Sequence, residues 1–266
     1  MKRKLGVVAN CLKEKTELEA LDLIADAGFR AVFSESNDPA TVLALREKCD
    51  KLGISLDFLH APFRGINDFW LPGDAYNALR RGIEASIDSA AGAGVPMVVC
   101  HVSSGWWPPQ MCQAGLDHFD ALVEYAGRKK VTIAFENLRK VGNLAALMDR
   151  YEKVPEVGFC YDIGHEHCYT RTVHYMDLYA DRLLCTHIHD NHGREKDDWS
   201  DPDEHLLPFD GNIDYSDIMR RLNDAEFAGT LMLEIYDHTH PDYRKMGNEA
   251  FLKTAFERIE RISKLK

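Results

Sequence analysis

Apolar, β-prone runs alternate with helical patterns from one end of the chain to the other, eight of each in strict order. The strand-like runs are Leu5–Val8, Ala31–Ser34, Ile54–Leu59, Pro96–Cys100, Val131–Phe135, Val157–Tyr161, Leu183–Ile188 and Thr230–Ile235. The helical stretches that follow them are Leu18–Ala27, Pro39–Lys51, Asp74–Ala93, Met111–Arg128, Leu144–Lys153, Val173–Ala180, Tyr215–Asn223 and Glu249–Lys264. Strict alternation implies parallel pairing with helical crossovers, and eight such units favour a closed barrel over an open doubly wound sheet. Gly28, Gly53, Gly94 and Gly229 each fall between a helix and the next strand, where a left-handed C-cap is expected. No Gly-x-Gly-x-x-Gly follows the first strand, which removes the main support for a dinucleotide fold. With 266 residues, the expected fold class is α/β, a single (β/α)8 TIM barrel spanning residues 1–266 as one domain.

Composition narrows the setting. Apolar residues make up 45% of the chain and charged residues 28%, ordinary for a globular protein, and no apolar stretch approaches a membrane span. Met1-Lys2-Arg3-Lys4 is not followed by the apolar core of a signal peptide before Lys13 to Glu19, so a cytoplasmic protein is expected. The seven cysteines are odd in number and form no Cys-x-x-Cys pair, which argues against a disulfide framework. Cys160 and Cys185 each stand two residues before a candidate ligand, and are read as small core residues one layer deeper. A net charge of −11 argues against a nucleic-acid partner, because phosphate backbones are held by clustered Lys and Arg.

Chemistry concentrates at one rim. His60, His101, Glu136, Asp162, His187 and Glu234 stand in turn at the ends of strands three to eight, all on the face where barrel enzymes place their sites. A solitary carboxylate at the end of an apolar strand carries a large desolvation penalty, so these groups need cations. The neighbouring strand ends supply histidine rather than Arg or Lys, and histidine with carboxylate suits Mn, Zn, Co or Fe, with Mg where oxygen dominates. His165 follows Asp162, and Asp203-Glu204-His205 lies in the long segment after strand seven; together they could close a second site.

These motifs resemble the xylose-isomerase-like TIM-barrel superfamily, which holds sugar and sugar-phosphate isomerases and epimerases alongside the endonuclease IV family. The resemblance rests on His60-Ala61-Pro62-Phe63, His101, Phe135-Glu136-Asn137-Leu138, Asp162-Ile163-Gly164-His165, His187-Ile188-His189-Asp190, Asp203-Glu204-His205 and Leu233-Glu234, and so spans nearly the whole barrel. In the isomerase and epimerase branch it implies one divalent metal on Glu136, Asp162, His187 and Glu234, the two glutamates doubling as acid and base. His165 would then contact substrate. In the endonuclease IV branch it implies up to three ions, with His60, His101, His165, Asp203 and His205 as further ligands.

The first expectation is therefore an enzyme that isomerises or epimerises a sugar or sugar phosphate through a metal-stabilised enediolate. Glu136 and Glu234 would exchange the proton from opposite faces. The alternatives are a multinuclear-metal phosphoester hydrolase and a dehydratase or lyase acting on a polyol ketone. Against the hydrolase, the loops lack interleaved basic and aromatic residues; Glu35-Ser36-Asn37-Asp38 after strand two is acidic. Trp106 and Arg64 are candidate substrate contacts, the latter for an anionic end. Trp106-Trp107-Pro108-Pro109 reads as a substrate cover or as a contact in a homo-oligomer.

Overall fold

The computed structural model describes residues 3–266. The strands are β1 (Leu5–Val8), β2 (Ala31–Ser34), β3 (Ser55–His60), β4 (Met97–Cys100), β5 (Thr132–Glu136), β6 (Val157–Asp162), β7 (Leu183–His187) and β8 (Leu231–Leu233). The helices are α1 (Glu17–Ala27), α2 (Pro39–Leu52), α3 (Asn77–Ala93), α4 (Gln113–Lys129), α5 (Val141–Arg150), α6 (Ile163–Tyr169), α7 (Tyr175–Tyr179), α8 (Tyr215–Asp224), α9 (Pro241–Met246) and α10 (Asn248–Ser263). Strands β1 to β7 pair in parallel, each with its sequence neighbours, and β8 pairs in parallel with β1. The ring closes between β7 and β8 through the parallel bridge Ile188–Leu233. Ile188 N–H donates to the Met232 carbonyl (2.8 Å) and Glu234 N–H to the Ile188 carbonyl (3.0 Å). Lower in the same join, the Thr186 hydroxyl donates to Thr230 O (3.1 Å) and accepts from Met232 N–H (3.3 Å), standing in for the backbone ladder. The chain is thus a (β/α)8 barrel, and none of its described helices is long and apolar enough to cross a membrane.

Local signals set the element ends. Thr16 and Glu19 form a reciprocal capping box at the start of α1, and Asp38 caps α2 with Pro39 in the first turn. Gly28 (φ 112°), Gly53 (φ 68°) and Gly94 (φ 66°) end α1, α2 and α3 in the left-handed region, as their positions predict. Gly229 does not. After α8 the left-handed residue is Glu226 (φ 53°), and a Cβ on Gly229 would lie 2.4 Å from the Phe227 ring, so close packing is what favours glycine there. α6, absent from the sequence pattern, begins directly after β6; the Asp162 carboxylate caps it by accepting from His165 N–H (2.6 Å).

Inside the barrel, Cys160 and Cys185 face each other in register and are buried free thiols, as expected for core residues. Phe33 stacks on Phe58 (4.8 Å) and on the His187 ring (5.0 Å), so the imidazole rests on an aromatic floor. The β3–α3 connection holds a short 3-10 turn (Ile66–Trp70), pinned by the Trp70 indole donating to Val102 O (2.6 Å).

Candidate metal centre

Glu136 and Asp162 terminate β5 and β6, His187 terminates β7, and Glu234 follows β8; the parallel register brings all of them to one end of the barrel. One ligand atom from each lies within 4.8 Å of the others, and all these residues are buried. His187 Nδ1 stands 3.3 Å from Glu136 Oε1, 3.4 Å from Glu234 Oε2 and 3.8 Å from Asp162 Oδ2. Asp162 Oδ2 and His187 Nε2 have no hydrogen-bond partner. Three buried carboxylates around one imidazole are not neutralised by each other, and such a set is stable only with additional positive charge.

Two further donor groups adjoin this one. Glu136 turns its second oxygen, Oε2, to His60 Nε2 and His101 Nε2, each at 3.2 Å. On the other side, His165, His189, Asp203 and His205 bring ligand atoms within 4.8 Å of one another. Several buried clusters of His, Asp and Glu can therefore hold divalent cations at this rim.

The protons follow the charges. Burial by itself would raise the Glu136 carboxyl, yet the neighbouring His101 and His187 hold it well below the usual carboxylate range. For His187, burial works against protonation, but Glu234 and Glu136 push it up to about 10. His205 reaches about 10 as well, burial being outweighed by Asp203, and Asp203 is held well below its ordinary value despite its own burial. His60 and His101 split: burial opposes both, Glu136 raises the first, and the second is lowered.

The mouth is a cavity of about 250 Å³ between these donors and the loops. Phe63, Leu138, Tyr169 and Tyr236 supply its apolar walls, and Glu35 reaches in from the end of β2, accepting from the Tyr236 hydroxyl (2.8 Å) and from Asn10 (2.6 Å). Arg139 is the single Arg or Lys lining it among the described residues. Its guanidinium lies over the Tyr169 ring (3.8 Å) and pairs with Asp201 (2.6 Å).

Arg64 is exposed and outside this lining, although its neighbour Phe63 stacks on His101 (4.1 Å). Trp106 sits one layer out, edge-on to Tyr169 (5.5 Å) and to Trp199 (5.6 Å), so that the β4–α4 and β7–α8 loops meet over the mouth. His60, His101, His165, Asp203 and His205 all line the cavity.

His189 is the donor that sequence reasoning passed over. It lies two residues beyond His187, on the same face by strand alternation, but one step past the last paired residue. Its ring is fully buried, and both nitrogens lack a hydrogen-bond partner. Gly164 in α6 packs flat against it: a Cβ there would lie 1.9 Å from His189 Cε1. Gly164→Ala is therefore expected to displace the imidazole and cost about 1–3 kcal/mol as an overpacking change. That corresponds to a Tm lower by several degrees, roughly 2–4 °C per kcal/mol for a domain of this size. An unchanged Tm would contradict the tight contact.

Comparison with known proteins places this architecture. Residues 21–261 match the family described as xylose isomerase-like TIM barrel. The uncharacterized protein y4fM of Sinorhizobium fredii is 33% identical over 162 residues, covering 56% of this chain and 50% of that protein. The chain thus spans about half the length of that relative. The uncharacterized protein MJ1311 of Methanocaldococcus jannaschii is 21% identical over 251 residues, covering 87% of this chain and 83% of that one. Among solved structures, a fusion of a xylose isomerase-like TIM barrel with 4-hydroxyphenylpyruvate dioxygenase superposes with a TM-score of 0.78 at 21% identity, over 98% of this chain and 43% of that one. A zinc-bound IOLI protein gives 0.77 at 17% identity, covering 98% of each chain. A D-tagatose 3-epimerase-like protein gives 0.70 at 20% identity, covering 97% and 98%. At these identities the structural matches establish the fold, and the match to residues 21–261 establishes the family: the chain belongs to the xylose-isomerase-like TIM-barrel proteins.

Proposed function

We propose that this protein is a divalent-metal-dependent isomerase or epimerase of a sugar or sugar phosphate. The observation that carries the reading is the buried group Glu136, Asp162, His187 and Glu234, of which Glu136 and Glu234 line a cavity of about 250 Å³ walled by aromatic rings. The unpartnered Asp162 Oδ2 and the excess of carboxylate over imidazole fit a divalent cation, with Mn, Zn, Co or Mg suited to an oxygen-rich set containing one histidine. When bound, the cation supplies Lewis-acid polarisation of a ketose or aldose carbonyl.

The chain's own groups do the rest. Glu136 and Glu234 arise from β5 and from the end of β8 and converge on one imidazole nitrogen, so that they can address a substrate from different directions. One carboxylate removes the proton from the carbon beside the carbonyl; the other returns it. Glu136, held ionised by its histidines, suits the base. Phe63 and Tyr169 offer apolar faces to a sugar ring, while Glu35 and the Tyr236 hydroxyl offer hydrogen bonds to sugar hydroxyls.

The test is proton exchange. Metal-loaded protein is incubated in D2O with a panel of ketoses and their phosphates, and the C–H signals next to the carbonyl are followed by NMR. Metal-dependent loss of one such signal is expected. A second reading, phosphoester hydrolysis by several ions, is favoured by one feature: Glu136 presents its two oxygens to separate histidine groups, as a bridging ligand would. Cleavage of a phosphodiester without any ketose exchange would install that reading in place of the first.

A further inference from the structure

Arg139 is the one Arg or Lys side chain lining the cavity among the described residues, and much of its hydrogen-bonding capacity is unused. We propose that it anchors a negatively charged terminal group of the substrate, a phosphate or a carboxylate, and that Asp201 holds the position which that group takes. The proposal rests on the functional reading only for the sugar part of the ligand.

The first argument is how the guanidinium is held. It lies over the Tyr169 ring at 3.8 Å and the Trp106 ring at 5.1 Å, so aromatic faces fix its plane without using its N–H edges. Such a planar fork matches two oxygens of a carboxylate or phosphate. Among the described residues only Nη2 finds partners, donating to the Tyr169 hydroxyl (2.5 Å) and to Asp201 Oδ1 (2.6 Å). Nε, on the same edge of the fork, is buried and has no hydrogen-bond partner. An unpaired donor on a side chain only 11% exposed is costly, and an oxyanion spanning Nε and Nη2 would satisfy it.

The second argument is that Asp201 is a replaceable partner. Its side chain is 65% exposed in the β7–α8 loop and offers the guanidinium a single oxygen. Exposed ion pairs of this kind are weak, so a bidentate oxyanion exchanges one charge-assisted hydrogen bond for two. The third argument is polarity. Glu35 follows β2 and Arg139 follows β5, so the two stand on different sides of the ring. A terminal anion placed beside Glu35 would face a carboxylate, and like charges in contact select against that arrangement. The cavity thus takes an anionic sugar one way round, hydroxyl end toward Glu35 and charged end toward Arg139.

Zinc-loaded protein is titrated by calorimetry with a ketopentose, its terminal phosphate, and the same sugar with its terminal carbon oxidised to a carboxylate. In wild type one charged ligand should bind about 10–100-fold tighter than the neutral one, and which one it is identifies the source of the anion. Arg139→Gln should abolish that preference. Asp201→Asn, which removes the competing charge, should raise it about two- to fivefold. A mere latch between loop and barrel predicts instead that both substitutions loosen the mouth and move affinity in the same direction. Such a same-sign response would overturn the proposal, as would equal affinity for charged and neutral ligands in wild type. A preference that neither variant moves, the anion then sitting on zinc, would overturn it too. Because Asp201 is exposed, its variant gives a result even if Arg139→Gln does not fold. Anion preference with the expected signs but no C–H exchange in D2O would strike the functional reading alone. Exchange of neutral ketoses without anion preference would strike this assignment alone.

Discussion

Glu234→Gln should leave the barrel folded and lower ketose turnover by about 10²–10⁴, the range expected when a positioned acid–base group is removed. The substitution keeps the shape of the side chain and removes its charge and its basicity. The comparison that isolates the effect is solvent exchange at the carbon beside the carbonyl, measured with zinc or manganese content and Tm determined on the same sample. Normal Tm with exchange lost is the expected pattern. Full exchange in the variant would remove Glu234 from the chemistry and leave Glu136 to account for both proton transfers, which a single carboxylate on one side of a substrate does not do for an epimerisation.

Stripping the metal should cost both activity and stability, and the stability cost should grow with pH. In the metal-free chain His187 and His205 titrate near 10, above the unfolded value of about 6.5. A raised histidine contributes stability that is fully present below the unfolded pKa and is lost as pH climbs through the folded one. Glu136 and Asp203 are depressed, so their contribution is present above the unfolded carboxylate value and disappears in acid. The metal-free protein should thus be most stable at roughly pH 4.5–6.5. An ion must displace the histidine protons, so it binds weakly there and tightly at pH 8. At a free concentration 1,000-fold over Kd it stabilises by about 4 kcal/mol, or roughly 8–16 °C in Tm. A metal-induced Tm shift that is the same at pH 5.5 and pH 8 would contradict this coupling between ligands and protons.

The barrel is legible in the sequence because its signals are local and repeated. β1 and β2 run over the residues that their apolar patterns predict, and the glycine caps after α1, α2 and α3 lie where helix geometry requires them. The misses have physical causes. α6 is too short to show a helical period and takes its cap from Asp162, a residue whose type also suits a metal ligand, so a single letter carries two roles. His189 stands beyond the paired end of β7, where alternation persists without a ladder to mark it. Glu35 and Tyr236 become neighbours only when β8 closes on β1, a contact 201 residues apart along the chain. Arg64 illustrates the reverse: loop position suggested a reach into the mouth, and the backbone instead directs Phe63 there.

The join between β7 and β8 has a consequence for how the barrel breathes. It is held by one bridge, two backbone hydrogen bonds and a threonine hydroxyl, the sparsest pairing in the ring, and His187 and Glu234 stand on its two sides, 3.4 Å apart. An ion gripping both residues would act as a rivet across this seam. A sparsely paired seam and the metal-binding groups then coincide, so occupancy of the centre would tighten this join, and amide exchange at Met232 and Glu234 would report metal loading independently of turnover.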